Sequence, residues 1–124
     1  MEYTENKILP ERALLVALDT GEYDAESSLD ELWELAKSGG AEPVATLTQK
    51  RPAPETATCV GSGMVQEIRT FCEDNAIELI IFDRELTPTQ IRNLEKETDV
   101  RVIDRTALIL DIFAQRAKSN EGRL

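Results

Sequence analysis

The chain has 124 residues, a formal net charge of −10 and no histidine, so it fits one domain and excludes the usual serine or cysteine triads and histidine-ligated metals. Residues 1–35 hold ten acidic and two basic side chains, whereas the other 89 residues hold fourteen acidic and twelve basic ones. The acidity therefore belongs mainly to the first part of the chain, and the other surfaces are free to present local positive patches.

The first part of the chain alternates a strand pattern with a helix pattern. Residues 13–19, ALLVALD, form a continuous apolar run that is typical of a strand covered on both faces. A helix follows, in which Ser28 and Glu31 have the spacing of a capping box and Gly39 with Gly40 marks the end. Residues 43–49, PVATLTQ, predict the second strand.

The middle of the chain begins with a predicted loop. Residues 50–60, KRPAPETATCV, contain two prolines and show no helical period. Residues 64–75 then predict a second helix, and residues 79–83, LIIFD, predict a third strand.

The third helix has the best-marked start in the sequence. Thr87 is placed to cap it, Pro88 stands in its first turn and Gln90 completes a capping box. Residues 100–104, VRVID, predict the fourth strand, which leads into a last helix over 106–117.

Strands that alternate with helices in this way predict right-handed βαβ units. We expect a three-layer α/β fold, with a four-stranded parallel sheet in the order 2-1-3-4 and helices on both faces. In such folds ligands bind at the carboxyl ends of the strands. The segments at that edge follow Asp19, Gln49, Asp83 and Asp104.

A Gly61-Ser62-Gly63 sequence directly precedes the second predicted helix. Glycines at this place allow backbone amides to meet a phosphate at a helix N-terminus. The pattern matches neither GxGxxG nor GxxxxGK[ST], and a turn that needs positive φ angles also explains it. We favour the turn and keep phosphate binding as the alternative.

Three aspartates, Asp19, Asp83 and Asp104, each end a predicted strand. Such a group of carboxylates is able to hold Mg²⁺. A receiver-type phosphorylation site would also need an acidic pair after the first strand and a lysine after a fifth strand, and the sequence has neither. We favour turn formation and helix capping by these side chains, with the metal site as the alternative.

Basic side chains recur in the same loops and in the last helix. They are either solvated or in contact with the phosphates of a nucleic acid. The residues concerned are Lys50, Arg51, Arg84, Arg105, Arg116 and Lys118.

The last helix is apolar over more than half of its circumference, counting about 100° per residue. One flat sheet does not bury so wide a surface. We expect part of it to be exposed or to contact another surface, and we expect the helix to continue beyond Ala114. The apolar residues are Leu108, Ile109, Leu110, Ile112 and Phe113.

Three stretches of the chain resemble a known family. TCVGSGMVQEI, LIIFDRELTPTQIRNLEKETDVRVIDRT and LILDIFAQRAKSNEGRL are similar to successive segments of the N-terminal domain of HflX-type GTPases. These are ribosome-associated members of the OBG and HflX-like superfamily. The resemblance covers nearly the whole chain, from ERALLVALD onward.

The resemblance implies an α/β domain at residues 1–117, the start of a helical linker at 118–124, and then a GTPase domain. It also implies that the whole protein binds the large ribosomal subunit and separates stalled ribosomes. The chain contains no P-loop, no DxxG switch and no NKxD motif. GTP and Mg²⁺ are therefore expected in the GTPase domain, and this chain is expected to be the N-terminal piece of a longer protein without hydrolytic activity of its own.

We therefore expect a binding module that contacts ribosomal RNA through Lys50, Arg51, Arg84 and Arg105 and contacts its own linker and GTPase domain through the last helix. The alternative is a nucleotide and Mg²⁺ site at Gly61–Gly63 with the strand-end aspartates. Cys59 and Cys72 form no CxxC pair and are expected to be reduced. A membrane span and a signal peptide are both missing from the sequence, which predicts a soluble cytoplasmic protein.

Overall fold

The predicted alternation of strands and helices is confirmed. The computed structural model describes the backbone of residues 10–122 and the side chains of residues 10–115 and 117. Within these residues the elements are β1 (Arg12–Asp19), α1 (Ala25–Ser38), β2 (Glu42–Lys50), α2 (Ser62–Asn75), β3 (Leu79–Phe82), α3 (Pro88–Thr98), β4 (Arg101–Asp104) and α4 (Arg105–Gly122).

The four strands form one parallel sheet in the predicted order β2-β1-β3-β4. Leu15 of β1 aligns with Thr46 of β2 on one side and with Ile81 of β3 on the other. β1 is thus paired along both edges and covered on both faces, which explains why residues 13–18 are all buried. Because the strands are parallel, their carboxyl ends meet at one edge of the sheet.

Helices cover both faces of the sheet, and each face has its own core. Even-numbered side chains of β1 pack towards Ile68 of α2 and Leu94 of α3. Odd-numbered side chains of β1 pack towards Leu32 of α1 and Leu108 of α4. Full burial of such a side chain stabilises the fold by about 1.5–3 kcal/mol, so β1 contributes to both cores at once.

The start of α1 differs from the prediction. Asp24 caps the helix, and its carboxylate accepts a hydrogen bond from the Ser27 N–H at 3.2 Å. This bond lowers the pKa of Asp24. Ser28 and Glu31 lie inside the helix and do not form the predicted capping box, because the helix begins earlier and Asp24 accepts the hydrogen bond from its first turn.

The capping box of α3 is confirmed. The Gln90 N–H donates to the Thr87 hydroxyl at 3.1 Å, and the Thr87 N–H donates to the Gln90 side-chain oxygen at 2.9 Å. Pro88 stands in the first turn, where its missing N–H leaves no bond unmade. Local sequence chemistry therefore sets the beginning of this helix.

The end of α1 is confirmed and lies against α4. Gly40 has a φ of +93° and follows the C-cap residue Gly39. A Cβ atom at Gly39 would lie 3.2 Å from the Leu108 Cδ1 atom. Glycine at this position lets the end of α1 approach α4 closely.

The predicted partial exposure of α4 is also confirmed. Leu108 and Ile112 are buried against the sheet, whereas Leu110 and Phe113 are 62% and 61% exposed. Ile109 is partly buried. The helix continues beyond Ala114 to Gly122 and so runs through the predicted boundary between 117 and 118.

Thr87→Ala is expected to lower the free energy of unfolding by about 1 kcal/mol, because it removes the side-chain cap of α3. Urea denaturation followed by far-ultraviolet circular dichroism measures this loss. Thr70→Ala, at an exposed position within α2, is the matched control and is expected to be neutral or slightly stabilising. Equal losses in the two variants would contradict the role assigned to the cap.

Candidate functional site

The carboxyl edge of the sheet brings several predicted residues together. A cleft of about 410 Å³ separates the segments that follow β1 and β2. Asp19 lines it, and its carboxylate accepts a hydrogen bond from the Gly21 N–H at 3.0 Å, which closes a turn in which Gly21 has a φ of +85°. The lining residues are Asp19, Thr20, Gly21, Lys50, Arg51 and Pro52.

Arg51 is held over this edge by several contacts. Its N–H donates to the Asp19 carbonyl at 3.1 Å, and its guanidinium donates to the Ala53 carbonyl at 3.3 Å. The guanidinium also lies 3.6 Å from the carboxylate of Glu55, an ion pair in which both side chains are partly exposed. Exposed pairs of this kind contribute only about 0–1 kcal/mol, so an incoming anion is able to replace Glu55.

The Gly61-Ser62-Gly63 segment is not the positive-φ turn that we favoured. Gly61 is the N-cap of α2 with a φ of −71°, and Ser62 and Gly63 belong to the helix. The Gly61 N–H donates to the Gln49 side-chain oxygen at 2.9 Å. A Cβ atom at Gly61 would lie 2.8 Å from the Arg51 Nη1 atom. Arg51 therefore lies close over Gly61, and its flexible guanidinium would have to shift to admit a larger residue. The Gly61 amide is already bonded within the chain.

The residue with positive φ in this region is Cys59, at +69°. It ends a short hairpin in which Glu55 and Cys59 form an antiparallel bridge. Side chains of α3 hold the hairpin: Gln90 donates to the Glu55 carbonyl at 2.9 Å, and Asn93 donates to the Ala57 carbonyl at 3.0 Å. The segment predicted only as a loop is therefore anchored to α3.

The sequence prediction did not include Gln49, Gln90 or Asn93 among the site residues. Their polar side chains bond backbone groups 12 to 36 positions away in the chain. No local pattern marks such partners. The two prolines of residues 50–60 indicated a loop, but they did not indicate which side chains hold it.

Arg51 pairs with Glu55 of the hairpin, and the charges of both Arg51 and Arg84 act on Cys59. Burial raises the pKa of the Cys59 thiol, and the charges of Arg84 and Arg51 act in the opposite direction. The pKa of Cys72 is raised to about 11 by burial, with a smaller contribution from Glu73. Both cysteines are free and buried, in agreement with the predicted reduced thiols.

Arg105 has a different environment from the other predicted basic residues. Its guanidinium pairs with the carboxylates of Asp83 and Glu31, which joins the start of α4 to the end of β3 and to α1. The Asp83 side chain is fully buried, while that of Arg105 is 23% exposed. The charge of Arg105 is thus largely neutralised inside the domain.

The strand-end aspartates act within the protein. Asp104 accepts hydrogen bonds from the Leu86 and Ala107 amides, both at 2.9 Å, and so caps α4. With Asp19 in a turn and Asp83 paired with Arg105, each carboxylate has a structural partner. Within the described residues, no group of three or more Asp, Glu, Cys or His is arranged to hold a metal ion.

Two of the predicted basic residues lie beyond the described side chains, namely Arg116 and Lys118. In the part of the chain that the structure describes, none of the helices has both the length and the apolar character needed to cross a membrane.

Comparison with known proteins agrees with this architecture. Residues 26–114 match the family described as GTP-binding GTPase N-terminal. The chain belongs to the N-terminal domain family of HflX GTPases. It is 48% identical over 114 residues to the GTPase HflX of Caldanaerobacter subterraneus and 41% identical over 114 residues to that of Escherichia coli. These alignments cover 92% of this chain but only 26% and 27% of the two relatives.

Solved structures share the fold of this HflX-family chain. A structure of SsGBP with GDP has a TM-score of 0.64 at 21% identity and covers 85% of this chain and 29% of its own. A GTP-binding protein from Sulfolobus solfataricus in complex with GDP has a TM-score of 0.60 at 22% identity, with 84% and 30% coverage. At these identities the likeness establishes the fold alone.

Arg105→Ala is expected to lower the free energy of unfolding of this HflX-family domain by about 3 kcal/mol, because it leaves the buried Asp83 charge without a partner. Adding Asp83→Asn to Arg105→Ala should recover part of the loss. The control is Arg69→Ala, which breaks an exposed pair with Glu73 and should cost less than about 1 kcal/mol. Chemical denaturation of the unchanged chain and these three variants measures the losses, and similar losses for Arg69→Ala and Arg105→Ala would disprove the role of the buried pair.

Proposed function

We propose that this chain is the ribosome-contacting domain of an HflX-type translational GTPase of the cytoplasm, and that it positions the protein on the large subunit without catalysing a reaction itself. Its relatives are named GTPase HflX, and the chain spans about a quarter of the lengths of the two compared above. Hydrolysis of GTP, with bound Mg²⁺, is then the work of the longer protein outside these residues. Separation of stalled ribosomes is its proposed outcome.

The observation that carries this proposal is the grouping of basic side chains at the carboxyl edge. Lys50 and Arg51 line one cleft, and Arg51 pairs with Glu55 of the hairpin at 3.6 Å. Arg84 follows β3 at the same edge, and its charge acts on Cys59. Lysine and arginine in such a group suit the phosphates of ribosomal RNA. We assign the contacts to Lys50, Arg51 and Arg84, and we assign Arg105 to the support of α4 because carboxylates already surround it.

The surrounding charges restrict how RNA is able to approach. The N-cap and first turn of α1 carry Asp24 and Glu26, which repel phosphate. The hairpin at residues 55–59 lies beside Arg51. RNA is thus expected to contact the hairpin side first, which gives the domain a defined orientation.

The exposed face of α4 supports a second contact, within the longer protein. Leu110 and Phe113 leave large apolar surfaces in water, which usually marks a binding surface. We propose that the helical linker and the GTPase domain cover them. The Arg105 pairs then connect this interface to the edge that contacts RNA.

In the longer HflX-type protein, Lys50→Glu with Arg51→Glu should weaken association with isolated large ribosomal subunits. The slope of log affinity against log salt should fall by about 0.7–0.9 for each phosphate that the variant no longer binds. Co-sedimentation at several salt concentrations measures both quantities. Lys37→Glu with Lys96→Glu is the control, since it makes the same charge change in the last turns of α1 and α3, at the opposite edge. Equal weakening by both pairs would contradict an RNA-binding role for the carboxyl edge.

Leu110→Ser with Phe113→Ser should leave the stability of the 124-residue chain within about 0.5 kcal/mol, because both side chains are already exposed. The same substitutions should loosen the longer protein, seen as faster limited proteolysis between the domains. Leu108→Ser, at a buried position, is the contrast and should destabilise the chain itself. Unchanged proteolysis of the longer protein would rule out the proposed interface.

A further inference from the structure

β2 leaves one long edge of the sheet without a neighbouring strand in the described chain. It has nine residues and stands at the end of the strand order, whereas the strand at the other end, β4, has four. Between Glu42 and Lys50 the strand carries no charged side chain. Edge strands that are short or carry charged side chains resist pairing with other chains. β2 is long, and its central residues carry no charge.

The direction of the β2 backbone groups follows from one hydrogen bond. The Arg51 N–H donates to the Asp19 carbonyl of β1, and Asp19 aligns with Lys50. Since backbone groups alternate in direction along a strand, Leu47 and Gln49 direct theirs towards β1. Thr46 and Thr48 therefore direct their N–H and C=O groups away from the sheet, where another strand is able to bond them.

A groove flanks β2 on each face of the sheet. On the α1 side, Thr46 and Thr48 border a groove of about 370 Å³ that also contains Leu29 and Trp33. On the α2 side, Leu47 borders a groove of about 490 Å³ that also contains Phe71. The side chains of an added strand alternate between the two faces and would enter both grooves.

The charges in the two grooves have one sign. Every ionisable residue that lines them is acidic, with three in the first groove and two in the second. A second copy of the chain would bring these carboxylates close to their equivalents, and nucleic acid would be repelled. The residues are Asp19, Glu26 and Asp30 in the first groove and Glu67 and Asp74 in the second.

We propose that β2 binds an extended polypeptide segment rich in lysine or arginine, which adds to the sheet as a fifth strand. Backbone hydrogen bonds to Thr46 and Thr48 would supply affinity, and the acidic grooves would select basic side chains that carry apolar stems. Asp19 lines both the first groove and the cleft proposed to contact RNA, whereas Thr46, Leu47 and the second groove lie outside that cleft. The two proposals can therefore fail independently.

The test uses an eight-residue peptide, Lys-Lys-Val-Val repeated twice, blocked at both ends and labelled with a fluorophore. This pattern places lysine and valine on both faces of an extended strand. Fluorescence anisotropy with the 124-residue chain should show saturable binding that weakens as salt is raised. A peptide with N-methyl groups at its four central residues keeps the charge but loses the backbone donors, and it should bind at least about tenfold more weakly. A peptide with glutamate in place of lysine should not bind.

Thr46→Pro tests the same site from the protein side. Its N–H faces away from β1, so proline removes no bond within the sheet while its ring blocks the added strand. Binding should weaken at least about tenfold, and the matched control Thr46→Val should bind within about twofold of the unchanged chain. Asp30→Asn with Glu67→Gln should reduce affinity at low salt.

Equal binding of the plain and N-methylated peptides would overturn the proposal, since it would mean attraction by charge alone. Equal binding by the Thr46→Pro and Thr46→Val variants would overturn it as well. Circular dichroism establishes whether Thr46→Pro is folded, and if it is not, the N-methylated peptide against the unchanged chain decides. Self-association that the basic peptide does not displace would assign the edge to a second copy instead.

Discussion

The burial of β1 on both faces and along both edges is the constraint on which the rest of the domain depends. Its even-numbered residues belong to one core and its odd-numbered residues to the other. A parallel sheet built around such a strand collects every strand end at one edge. The cleft at Asp19, the hairpin at Cys59 and the start of α4 are neighbours for this reason, although they are far apart in the sequence.

The ion pairs of Arg105 connect the carboxyl edge of the sheet to α4. Asp83 directly follows β3, Glu31 lies on α1, and Arg105 begins the helix whose outer face exposes Leu110 and Phe113. Because the Asp83 carboxylate is fully buried, separation of the pair is costly. The direction of α4 is thereby tied to the carboxyl edge, where RNA contact is proposed.

Charge is separated on the surface of the domain. Lys50, Arg51 and Arg84 lie at the carboxyl edge of the sheet, whereas the grooves beside β2 are lined with carboxylates. The net charge of −10 is the sum over the whole chain, and the sign of the charge differs from one surface to another. Surfaces of opposite sign favour different partners, with phosphate at one and basic polypeptide at the other.

The sequence by itself determined the elements, their order and the α3 capping box, because apolar periodicity and caps act between residues a few positions apart. The resemblance of its motifs to HflX proteins also indicated the family, which comparison confirmed. Only the tertiary structure decided that Arg51 lies close to Gly61, which side of α4 is exposed and that Arg105 pairs with Asp83. These features depend on contacts between distant residues, and local patterns do not specify such contacts.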